Sequence, residues 1–148
     1  MTTRKQVAFS SLALMLLAAA ASADDSMTLV EIMQGLKDDT IRISDGLLTD
    51  NFEQIAEAAD AIATHPKISA DDAQLVAAEL GDEMSVFKAI DLLVHDLAVE
   101  ISVAARARDR SAAFEGYQQM FEGCLACHEA YQDRVATALA REPESASD

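Results

Sequence analysis

Residues 114–140 read FEGYQQMFEGCLACHEAYQDRVATALA, and the spacing of their apolar side chains decides the fold. Phe114, Tyr117, Phe121, Cys124, His128, Tyr131, Val135 and Ala138 recur in alternating steps of three and four. That period belongs to one face of an α-helix. It predicts a last helix from about Ser111 to Arg141, with these residues in its apolar seam. Inside the stretch stands Cys124-Leu125-Ala126-Cys127-His128, which holds both cysteines of the chain.

Cys-x-x-Cys-His is the spacing of a c-type haem attachment site. Two thiols can add across the two vinyl groups of one porphyrin, and the adjacent imidazole can then serve the iron as proximal ligand. The expected cofactor is one covalent haem c, tethered by Cys124 and Cys127, with His128 on the iron. On a helix Cys127 and His128 lie three and four residues after Cys124, so the three share a face. A thioredoxin-like dithiol would sit near a strand-helix-strand pattern, and the flanks here are helical throughout. A zinc site would want four ligands, and the remaining candidates His65 and His95 lack paired spacing.

The first residues carry Arg4 and Lys5, continue through an apolar run from Val7 to Ala21, and close on Ala21-Ser22-Ala23. This is the pattern of a secretory signal peptide over residues 1–23, cleaved after Ala23. The expected location is the periplasm, with no membrane segment in the mature chain. Against 11 Lys and Arg the sequence has 26 Asp and Glu, for a formal net charge of −15. Removal of the leader takes away two basic residues and no acidic one, so the mature chain is more acidic still. Nucleic acid and anionic membrane surfaces are excluded as partners by that charge. The expected partners are redox proteins with basic docking patches.

Glycine and proline are scarce, at 5 and 2, and no run alternates with period two. One all-α domain is expected over residues 24–141. Leu29, Ile32, Met33, Leu36, Ile43 and Leu47 mark a first helix from about Met27 to Leu48. Asp50 or Asn51 caps a second from about Phe52 to Thr64, ended by His65-Pro66. Ser69 and Asp71-Asp72 cap a short crossover helix reaching Leu80. Met84, Phe87, Ile90, Val94, Leu97, Ile101 and Ala104 mark a third long helix over about Asp82 to Ala107. Asp109-Arg110-Ser111 makes the turn into the last helix, and residues 142–148 form an acidic tail expected to be disordered.

Four long helices with Cys124-Leu-Ala-Cys127-His128-Glu-Ala-Tyr131 near the C-terminal end resemble the class II cytochromes c, the cytochrome c′ family. The resemblance implies an antiparallel four-helix bundle with haem attached to the last helix. It also implies that two bundles can pair as a homodimer through their first two helices. Class I cytochromes c mostly carry the motif near the N-terminus with a methionine ligand after it, whereas the last methionine here is Met120. Two positions depart from the family pattern. Gln132 stands where a basic residue often follows the aromatic, the nearest arginine being Arg134, and Leu29 holds a first-helix place that is often basic.

The resemblance also implies that function turns on the residue opposite His128. An apolar first-helix residue such as Ile32 would leave a five-coordinate iron that binds nitric oxide or carbon monoxide. A methionine, here Met33, would close the site as distal ligand for electron transfer, and a thioether raises the reduction potential. Residues 29, 33 and 36 share the face expected to point inward, and an unbranched thioether reaches further than a stiff isoleucine. His95 is the other contender, on a polar stripe with Asp91. The expected activity is electron transfer by a monohaem cytochrome that is not an enzyme, since no distal acid-base pair stands out.

Overall fold

The computed structural model describes residues 26–141. The expected leader and the acidic tail fall outside the described residues. Within them the chain is helical apart from turns and a two-residue strand pair: β1 (Ser26–Met27), α1 (Leu29–Thr49), α2 (Phe52–Ala63), β2 (Lys67–Ile68), α3 (Ala70–Leu80), a 3-10 turn (Gly81–Glu83), α4 (Met84–Arg106) and α5 (Arg110–Leu139). Every helix anticipated from periodicity is present, with ends within about two residues of those expected, the usual precision at a fraying terminus.

Short polar side chains start these helices by satisfying amides that have no partner inside the helix. Thr28 opens α1 with a capping box: its hydroxyl accepts from the Glu31 amide while the Glu31 carboxylate accepts from the Thr28 amide. Asn51 caps α2, Ser69 caps α3 and Asp109 caps α5, each through its side-chain oxygen. Asp50 instead ends α1 in the left-handed conformation, at φ 60°. The turn between α1 and α2 is tight because Gly46 has no Cβ; one there would lie 2.6 Å from Ile55 Cγ1 and 3.1 Å from the Asn51 carbonyl.

The strand pair was not legible in the sequence. Ser26 and Met27 run parallel to Lys67 and Ile68, and the Asp72 carboxylate accepts from the Leu29 amide at 2.7 Å. These bonds pin the start of α1 to the crossover.

Helices α1 and α2 lie side by side, α2 packs on α4, and α4 packs on α5, whereas α5 meets α1 only briefly and shares its far end with α3. The apolar interior is divided in two. One cluster joins α1, α2, α4 and α5 through Ile43, Ile55, Ile62, Leu97, Ile101 and Met120, with Leu36, Val94 and Tyr117 at its edge. The other joins α3 and α5 through Val76, Leu80, Tyr131 and Val135, and Leu29, Phe87, Ile90 and Cys127 pack against it. Full burial of each such aliphatic side chain contributes about 1.5–3 kcal/mol before entropy. The divide falls on α5 between Met120 and Cys127.

Ser102 is the buried polar residue of the core, 2% exposed, and donates to Asp60 at 2.6 Å. Arg106 closes the group by pairing with Asp60. Among the described residues no helix is long and apolar enough to cross a membrane.

Candidate haem-attachment site

α5 turns about 100° per residue, so its positions can be sorted into shoulders. Gly116 and Gly123 lie on the shoulder that meets α4: a Cβ on Gly116 would come 2.9 Å from Ile101 Cγ1, and one on Gly123 would come 3.2 Å from Val94 Cγ2. Ala113, Gly116, Met120, Tyr131, Val135 and Ala138 form the buried line. The expected seam holds at Tyr131, Val135 and Ala138, which are buried, while Phe114, Phe121 and His128 are displaced from it. Phe114 and Phe121 are 48% and 42% exposed, and His128 is exposed as well. The reason is steric: helices that approach over Gly116 and Ala113 leave no room for a phenyl ring, so the rings move to the opposite shoulder. There Tyr117 stacks on Phe121, with centroids 6.1 Å apart.

Cys124 and Cys127 are both half-buried and unbridged. Burial raises the pKa of both thiols, and for Cys127 the carboxylate of Asp91 on α4 and then the neighbouring Cys124 raise it further. Cys124 sits at the divide between the two core clusters. By helix geometry His128 and Phe121 stand on the shoulder of α5 opposite Gly116 and Gly123, the residues that meet α4. The donor set thus fits a porphyrin: two thiols, an accessible imidazole, an aromatic shoulder, and an interior that is discontinuous at their level.

On α1, Met33 is half-buried and follows Leu29 by one turn; Leu29 packs with Cys127 in the second cluster, and Leu36 reaches the first. Ile32 is 3% exposed and lines a cleft with Gly35, Leu36, Ala61, His65 and Pro66, on the α2 side of the helix. That cleft lies apart from the cysteines. Arg134, the nearest arginine to the motif on its C-terminal side, is committed elsewhere, bonding to Glu83 at 2.9 Å and to Glu79.

His95 does not stand free on a polar stripe. Its Nδ1 lies 2.9 Å from the Ala63 carbonyl oxygen and its Nε2 lies 2.9 Å from Nε2 of His65, with an Asp91 oxygen 3.9 Å from the same nitrogen. His65, read from its position before Pro66 as a loop residue, is thereby part of a cluster that sequence spacing did not reveal. Comparison with protein-family models, with curated proteins and with solved structures finds no match to this chain.

Proposed function

We propose that the chain is a periplasmic monohaem c-type cytochrome of the class II kind, an antiparallel four-helix bundle that carries electrons. The observation that carries this reading is the Cys124–Cys127–His128 triplet lying on α5 where the core divides. Cys124 and Cys127 would tether the haem by thioethers, and His128 would supply the proximal nitrogen. The bound group supplies one-electron chemistry between ferric and ferrous iron.

The chain's own residues do the rest. Tyr117 and Phe121 offer apolar surface at the attachment shoulder, and Leu29 and Leu36 lie about one turn to either side of Met33 along α1. Met33 is the proposed distal ligand, because its unbranched thioether is half-buried and outside the cleft that Ile32 and Leu36 line. That same engagement of Ile32 speaks against the five-coordinate alternative, which would bind nitric oxide or carbon monoxide. The excess of acidic over basic residues steers association toward basic patches on donors and acceptors.

Absorption spectra of the full chain, expressed with haem-attachment machinery, test the reading. A reduced spectrum of c type, with a low-spin oxidised form, is expected. A high-spin oxidised form that takes up carbon monoxide freely when reduced would favour the gas-binding alternative, and a chain that acquires no haem would refute both.

A further inference from the structure

We propose a second, independent centre: a site for a borderline divalent cation of the Zn²⁺ type, formed by Nε2 of His65, Nε2 of His95 and the carboxylate of Asp91. The ligand atoms of the three residues all lie within 4.8 Å of one another. The other ring nitrogens fix the tautomers. Nδ1 of His65 is 2.7 Å from the Pro66 carbonyl oxygen, and Nδ1 of His95 is 2.9 Å from the Ala63 carbonyl oxygen. A carbonyl oxygen only accepts, so each Nδ1 carries the proton.

Each neutral ring then presents an unprotonated Nε2, and these two lone pairs face each other across 2.9 Å. Two acceptors at that distance repel unless a cation, metal or proton, lies between them. Imidazoles oriented by backbone carbonyls on the far nitrogen are the arrangement that metal-ligating histidines adopt. A tetrahedral Zn²⁺ with bonds of about 2.0–2.1 Å wants its two nitrogens about 3.3 Å apart, so the rings need open by only a few tenths of an ångström. Asp91 is exposed, so its carboxylate, already 3.9 Å from Nε2 of His95, is free to turn toward a shared ion, leaving a fourth position for water.

Two imidazoles and one carboxylate select a transition ion over Ca²⁺ or Mg²⁺, which prefer oxygen. Such an ion would clamp the turn after α2 onto α4. The site uses neither cysteine, and it excludes His95 as a haem ligand while the ion is bound.

Titration of the purified full chain with ZnCl₂ by calorimetry tests it, with CaCl₂ and MgCl₂ as controls. One Zn²⁺ per chain, no heat from the controls, and a rise in thermal midpoint with Zn²⁺ are expected. His65→Ala, on a turn, should weaken binding at least tenfold while helical circular dichroism is unchanged, and Asp91→Asn should weaken it less. In ¹⁵N spectra of the imidazoles, Zn²⁺ should shift Nε2 of both histidines and leave both Nδ1 sites protonated. Absence of Zn²⁺ binding, with a proton found on Nε2 of one ring, would overturn the proposal in favour of a shared proton. So would Zn²⁺ binding that survives His65→Ala but is lost in Cys124→Ala.

Discussion

Ile32 and Met33 are neighbours on α1 with different surroundings: Ile32 is 3% exposed and lines the cleft shared with Leu36, Ala61 and His65, while Met33 is half-buried and does not line it. On the proposed function Met33 is the distal ligand. Met33→Ala should convert a low-spin oxidised protein into a high-spin one that binds carbon monoxide readily when reduced, with a lower reduction potential. Ile32→Ala should keep the low-spin spectrum and cost stability, about 2–5 kcal/mol for an aliphatic core truncation. Low-spin character that survives Met33→Ala but not His95→Ala would transfer the role to His95.

Gly116 sets the distance between α4 and α5. A methyl there would press on Ile101, which is fully buried. Overpacking costs about 1–3 kcal/mol, and the better helix propensity of alanine returns about 1. Gly116→Ala should therefore lower the thermal midpoint, and a midpoint equal to or above that of the parent chain would contradict the close approach.

The Asp60 carboxyl is held below its ordinary pKa, first by hydrogen bonds from Arg106 and then by that from Ser102. A depressed folded-state value stabilises the fold above the ordinary carboxylate pKa and is lost as pH falls through the lowered one. Because the side chain is 46% exposed, the contribution is at most about 1 kcal/mol. Urea unfolding followed between about pH 5 and pH 2 should show a shallower acid loss in Asp60→Asn than in the parent chain. Parallel curves would show that the group is indifferent to folding.

The acidic balance of the chain makes a kinetic prediction. Electron exchange with a basic redox protein should be fast at low ionic strength and slow steeply as salt is raised, since screening shortens to about 8 Å near 0.15 M. Exchange with an acidic partner should show the opposite slope, and a rate insensitive to salt for both would remove electrostatic steering from the account.

Helix positions were legible because the signals are local: Asn51 and Ser69 cap where short polar residues precede apolar periodicity, and His65-Pro66 ends α2 as expected, whereas the caps Thr28 and Asp109 emerge only from the structure. The inward line of α5 was less so. Periodicity over 30 residues fits more than one stripe, and the choice is made by Gly116 and Gly123 meeting α4, which only the packed structure reveals. His65 and His95 escaped for a similar reason: 30 positions apart, they are joined by the α2–α4 contact and by carbonyls of Ala63 and Pro66, not by any spacing. The β1–β2 pair, two residues long, is dictated by tertiary contact alone.

The central claim is covalent haem at Cys124 and Cys127, and acid–acetone extraction of the purified, pigmented protein followed by mass spectrometry tests it most directly. The colour should stay with the protein, the mature chain should gain the mass of one haem, and tryptic peptides should carry that mass on the segment holding Cys124 and Cys127. Haem that passes into the organic phase, leaving both cysteines free to react with iodoacetamide, would contradict it.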